Sequence, residues 1–130
     1  MDKNILKSSI ILIGPMNVGK DMIASSLSEK TGLDIVYVNK LRKVFYPKFG
    51  YNLEAATRIR KSKGIAAWYE YQKPYEAKLA EYVLTTFLTR PSIVVFGAGF
   101  TVYKDKELFT SVQKAMQGYK NVINLELPPN

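Results

Sequence analysis

The segment Gly14-Pro15-Met16-Asn17-Val18-Gly19-Lys20-Asp21 constrains this chain more than any other. It fits the phosphate-loop (Walker A) spacing G-x-x-x-x-G-K and then places Asp where Ser or Thr is usual. Its context is informative. Ser8 to Ile13 (SSIILI) is a short apolar, β-branched run that reads as a buried strand, and Lys20 to Lys30 has the spacing of a helix. A glycine-bearing loop between a strand and a helix lets the backbone wrap an oxyanion closely, and the helix N-terminus and the Lys20 ammonium supply positive charge. Gly14, Pro15, Met16, Asn17, Val18, Gly19, Lys20 and Asp21 are therefore the expected phosphate-binding residues.

The rest of the chain continues an alternation of strands and helices. Thr31-Gly32 ends the first helix, and Ile35 to Val38 reads as the second strand, giving a βαβ unit. Helices are expected at Lys40–Tyr46, Leu53–Lys61 and Ile65–Thr89. Pro74 should kink or split the last of these. Ser92 to Phe96 reads as the third strand, running into Gly97-Ala98-Gly99. A helix over Lys104–Gln117 and a strand over Val122–Leu127 follow, stopped by Pro128-Pro129. The expected architecture is α/β: a three-layer α/β/α sandwich with a mostly parallel sheet, in one domain spanning residues 1–130.

Composition narrows the chemistry. The 130 residues include no Cys and no His, which removes disulfides, thiolate metal sites and the commonest general base. Any catalysis must run on Lys, Arg, Asp, Glu, Tyr, Ser or Thr, with a hard cation such as magnesium. At Asp21, three roles stand open: magnesium ligand, repulsive neighbour of the phosphates, or cap of the helix. The net charge of +8 gives a field that attracts anionic small molecules. The basic stretch from Lys40 to Lys63 reads first as a solvated helical face, and a nucleic-acid partner ranks last because no recognition motif is present. Asp34, Glu54 and Glu70 are the carboxylates considered as bases, and each reads as a surface residue. Trp68 and Tyr75 are expected to pack on the sheet; for Tyr69 and Tyr71 a pocket and the core both stand open, since Trp68, Tyr69, Tyr71 and Tyr75 cannot all share one helical face. No run approaches the roughly 20 apolar residues of a membrane span, and residues 1–7 are too polar for a signal peptide, so a cytoplasmic location is expected.

Taken in order, these segments resemble shikimate kinase, a P-loop family of the nucleoside-monophosphate-kinase kind. Ile10 to Lys20 is similar to its first strand and phosphate loop, including Gly-Pro-Met. Gly64 to Tyr69 stands where it has Gly-Glu-x-x-Phe-Arg, Ile93 to Gly99 where it has a strand ending in three glycines, and Val122 to Pro129 where a later strand ends in Pro-Pro. The resemblance implies ATP and magnesium as cofactors, with transfer of the γ-phosphate to a small hydroxylated acceptor. It implies Lys20 as the catalytic cation, Asp21 at the metal, and Asn39, Tyr69, Gly97, Ala98 and Gly99 around the acceptor. The family's arginine-bearing lid and last strand would follow Asn130. The departures fall on functional positions. Asp-x-Asp becomes Tyr37-Val38-Asn39, the substrate-binding Arg becomes Tyr69, and the middle glycine becomes Ala98. Two expectations follow: a small-molecule kinase, or a degenerate nucleotide- or phosphate-binding module without turnover.

Overall fold

Ile11 and Leu12 are both fully buried, yet they face opposite ways, and the layers of the fold follow from that. The computed structural model describes residues 3–16 and 18–126; Asn17 and the expected ends of the last strand at Leu127, Pro128 and Pro129 lie outside them. The elements are α1 (Lys3–Leu6), β1 (Ile10–Ile13), α2 (Lys20–Thr31), β2 (Asp34–Tyr37), α3 (Val38–Phe45), α4 (Leu53–Lys63), α5 (Ile65–Tyr82), β3 (Ser92–Val95), α6 (Lys106–Met116) and β4 (Asn121–Asn124). Short 3-10 turns cover Pro47–Phe49 and Ala98–Thr101. The four strands form one parallel sheet in the order β2-β3-β1-β4.

Alternation along the strands builds two cores. Leu12, Ile93 and Val95 pack with Ala24, Ile23 and Leu27 of α2 on one face. Ile11, Val94 and Phe96 pack with Leu79, Ala80 and Val83 of the α5 region and Val112 and Ala115 of α6 on the other. The expected three-layer sandwich is thus present. Each fully buried aliphatic or aromatic side chain in these cores contributes about 1.5–3 kcal/mol relative to exposure.

Several boundaries differ from the sequence reading for identifiable reasons. Ser9 is buried, and its Oγ accepts a hydrogen bond from the Ser92 N–H at 2.9 Å, so the β1–β3 ladder begins only at Ile10. Asp105 caps α6, accepting from the N–H groups of Glu107 at 2.8 Å and Leu108 at 3.2 Å, so that helix starts at Lys106 rather than Lys104. Pro74 does not split α5, which runs unbroken to Tyr82. The irregularity comes later, where Val83–Phe87 widens into a π turn closed by the Leu88 N–H on the Val83 carbonyl, 3.2 Å. Met22 of α2 is 79% exposed, and Ala24 takes the contact with the sheet. β4 is an exposed edge strand.

Candidate functional site

In a parallel sheet, ligands bind beyond the carboxyl ends of the strands, where neighbouring strands send their chains in opposite directions. Here that switch point lies between β1 and β3. The chain leaves β1 through α2 to reach β2, and leaves β3 through α6 to reach β4. The two segments issuing there are the loop after Ile13 and the Gly97-Ala98-Gly99 turn.

The loop is shaped by two glycines with positive φ. Gly14 has φ 142°, and a Cβ at that position would strike the Leu125 carbonyl, because the chain after β4 is tied to β1 by the Leu125 N–H on Ile13 O at 2.9 Å. Gly19, φ 87°, is the N-cap of α2, and no side chain caps this helix. The first N–H groups of a helix have no partner within it, so those at the start of α2 are available to an anion. Asp21 is therefore not the cap. It is exposed in the first turn of α2, where a carboxylate suits the helix dipole.

Lys20 donates to the loop's own carbonyls, Gly14 O and Pro15 O, the latter at 3.2 Å. Desolvation holds its amine below the usual lysine value, partly offset by the Asp21 carboxylate. A cavity of about 510 Å³ opens beside it, bordered by Met16, Val18, Gly19, Lys20, Asp21, Tyr37, Asn39, Lys40, Gly97 and Ala98. A second cavity of about 460 Å³ adjoins it, sharing Met16, Asn39, Gly97 and Ala98 and adding Arg42, Tyr69, Lys73, Glu76, Gly99 and Val102. All the described residues expected from the sequence at the phosphate, metal and acceptor positions thus border one cavity or the other, except Gly14 and Pro15, which the Lys20 ammonium joins directly.

The second cavity holds the residues that sequence reasoning missed. Lys73 and Glu76, one turn apart on α5, pair at 3.1 Å with side chains only 15% and 10% exposed. The Lys73 ammonium also donates to Gly99 O at 2.9 Å and lies 5.3 Å from the Tyr103 ring centroid. The hydroxyls of Tyr46 and Tyr103 are buried without a hydrogen-bond partner among the described residues. Burial and the Glu76 charge push both phenols well above the usual tyrosine value. Arg42 lies near enough to the Tyr46 hydroxyl to oppose this in part, without the geometry of a hydrogen bond. The signal in the sequence was Lys73-x-x-Glu76, an oppositely charged i,i+3 pair on an otherwise apolar helix face.

The carboxylates considered from the sequence stand elsewhere. Asp34 is exposed and paired with Arg90, Glu54 is exposed, and Glu70 is exposed with the Lys104 ammonium 4.0 Å away. Among the described residues, no three of His, Cys, Asp and Glu gather where they would hold a metal ion. Trp68 does not pack on the sheet; the Arg60 guanidinium of α4 lies 5.1 Å from its ring centroid. Tyr75 does join the core, packed against Tyr46 and Tyr51.

The parallel sheet, with a glycine-bounded loop leading from its first strand into a helix, defines the fold of a P-loop, nucleotide-kinase-like α/β protein. Among solved structures, shikimate kinase from Acinetobacter baumannii in complex with shikimate matches with TM-score 0.57 and 15% identity over 98% of this chain and 62% of that one. Shikimate kinase from Aquifex aeolicus matches with TM-score 0.47 and 19% identity over 92% of this chain and 60% of that one. A gluconokinase from Sinorhizobium meliloti matches with TM-score 0.47 and 15% identity, covering 92% and 56%. The chain therefore spans about three-fifths of the length of these structures. No family model matches the chain, and no curated protein does. Among the described residues, no helix is long and apolar enough to cross a membrane.

Proposed function

We propose that this chain binds ATP through the loop from Gly14 to Asp21 and transfers its γ-phosphate to a hydroxyl of a small acceptor. The observation that carries this reading is the position of Lys20. Its ammonium stands at the N-terminus of a helix with no side-chain cap, beside a cavity that adjoins a second one, holding Arg42, Lys73 and Glu76, across Asn39, Gly97 and Ala98. The amides at the start of α2 and the Lys20 ammonium, released from the Gly14 and Pro15 carbonyls, hold the phosphates. Asp21, exposed in the first turn of α2 and bordering the cavity, is the carboxylate that would hold magnesium there, and the cation would supply neutralisation of the phosphate charge.

The acceptor lies in the second cavity, against Asn39, Tyr69 and the turn from Gly97 to Gly99. Arg42 supplies a cation there. Apart from Asp21, Glu76 is the sole described carboxylate lining either cavity, and it accepts a hydrogen bond from the reacting hydroxyl. Phosphoryl transfer demands mainly alignment and charge neutralisation, which these groups supply without a histidine.

A second reading has its own support: Tyr37, Asn39 and Tyr69 replace two carboxylates and an arginine of the family pattern, and no acidic metal cluster is present among the described residues. In that reading the chain binds nucleotide without turnover. Calorimetric titration with ATP, with and without magnesium, followed by assay of ADP release against shikimate, gluconate and other polyols, decides between them. Binding with acceptor-dependent ADP release supports the kinase, binding alone supports the module, and absence of binding refutes both.

A further inference from the structure

The chain's positive charge is concentrated in one region. Between Val38 and Lys63 stand eight basic side chains and one acidic one, Glu54, which accounts for nearly all of the net +8. The densest part is the end of α4, where Arg58, Arg60, Lys61 and Lys63 fall within six residues. All four are exposed, and among the described residues none is in an ion pair. Arg60, Lys61 and Lys63 lie in the last turn of α4, where cations suit the helix dipole, but four like charges on two helical turns also repel one another, and no described carboxylate pairs with them.

A second observation lies at the same corner. The chain turns at Gly64, φ 93°, directly into α5, whose first turns carry Trp68 and Tyr69 with ring centroids 5.1 Å apart. Tyr69 is 50% exposed, and the Arg60 guanidinium covers the Trp68 ring at 5.1 Å. Cations beside an exposed tyrosine ring, itself backed by a half-buried Trp68, match a strand whose backbone is anionic and whose bases are free to stack. A membrane surface fits less well. The exposed residues of the last two turns of α4 are Thr57, Arg58, Arg60, Lys61, Ser62 and Lys63, and the one large aliphatic side chain exposed beside them, Ile65, is too little to make an inserting apolar face.

We propose that the α4–α5 corner binds single-stranded nucleic acid, with phosphates on Arg58, Lys61 and Lys63 and a base stacked on Tyr69. The proposal does not rest on the kinase reading; the two share Tyr69, which borders the second cavity, but Arg58, Lys61 and Lys63 lie outside both cavities. Sequence reasoning placed a nucleic-acid partner last for want of a motif; the unpaired state of the charges and their junction with the aromatic pair become visible only in the fold.

The test is fluorescence anisotropy with labelled 20-nucleotide single strands of RNA and DNA, using the full chain across a salt series. Counterion release from about three phosphate contacts predicts a roughly 20-fold loss of affinity between 50 and 200 mM salt. The double variant Arg58→Glu/Lys61→Glu, which touches only exposed positions, should weaken binding at least tenfold and make the salt dependence shallower. Tyr69→Ala should weaken binding about tenfold with the salt dependence unchanged, since stacking is worth about 1–3 kcal/mol per base. The single tryptophan, Trp68, gives an independent signal through quenching of its emission on binding. Three results overturn the proposal: no binding at 50 mM salt, binding indifferent to the Arg58/Lys61 reversal, or binding to anionic phospholipid vesicles with no binding to the oligonucleotides. Circular dichroism of each variant confirms that loss of binding is not loss of fold.

Discussion

Gly99 and Glu76 are fitted to one another: a Cβ at position 99 would lie 2.8 Å from Glu76 Oε2, and the same carboxylate oxygen is held by Lys73 at 3.1 Å. The glycine turn after β3 is thus shaped by a buried side chain of α5. Ala98, where the family pattern has a glycine, borders both cavities between Gly97 and Gly99.

A methyl group at position 99 therefore has to displace a carboxylate that is buried and ion-paired. Gly99→Ala should cost about 1–3 kcal/mol, the range for an overpacked interior. Gly97→Ala meets the Asn39 side chain at 2.5 Å, but Asn39 is exposed and free to swing, so that variant should cost less than Gly99→Ala. Urea midpoints of the two variants check the ranking.

The Lys73–Glu76 pair invites a double-mutant cycle. Lys73→Met alone leaves a buried carboxylate without its cation and should destabilise by about 3–5 kcal/mol. Lys73→Met/Glu76→Leu removes both charges and should recover most of that loss. If the single and double variants are equally destabilised, the pair is not the source of the cost.

The Tyr103 hydroxyl is buried and without a partner among the described residues, so removing it should not harm the fold. Tyr103→Phe should raise stability by about 1 kcal/mol, the lower end of the penalty for an unsatisfied buried group. Its titration gives a second readout. Burial raises this phenol above its usual value of 10.0, so the folded state favours the neutral form. Its share of stability is complete below pH 10.0 and declines as pH rises beyond that value, because the unfolded chain ionises first. Tyr103→Phe should soften the alkaline decline in melting temperature.

Much of the site could be read from the sequence because it is local. The strand, loop and helix from Ile10 to Thr31 are contiguous, and glycine spacing, apolar run and helix periodicity agree within about twenty residues. The acceptor side was only half legible. Asn39 and the turn from Gly97 to Gly99 were found by motif order, but Lys73 and Glu76 owe their place to the packing of α5 against the sheet. The i,i+3 charge pair Lys73-x-x-Glu76 is visible in the chain, but such pairs are common on solvated faces, and it does not by itself mark that helix turn as facing a cavity. Pro74, between them, pointed to a break in the helix. Tertiary contacts on both sides of it, at Tyr71 and Tyr75 and at Ala77 and Leu79, keep the helix continuous instead. The boundary shift at Ser9 has a similar origin, since its partner Ser92 is 83 residues away.

Lys20 gives the pH dependence of the proposed nucleotide site. Its amine sits below the ordinary value of 10.5 because of desolvation, so the ammonium that the phosphates require is lost at lower pH than for a solvated lysine. ATP affinity should fall as pH rises toward 10.5, and Lys20→Arg, whose guanidinium stays charged, should show no such fall. Asp21→Ser should weaken the magnesium-dependent part of ATP binding and leave the magnesium-free part unchanged or stronger.

The central claim is that the loop closed by Gly14 and Gly19 gathers amides and the Lys20 ammonium into a seat for phosphates. Isothermal titration of the wild-type chain and of Lys20→Ala with magnesium-ATP tests it most directly. The account predicts saturable one-to-one binding to the wild type and at least a tenfold loss in Lys20→Ala, about 1.4 kcal/mol or more. No binding to the wild-type chain, or equal binding to both, would contradict it.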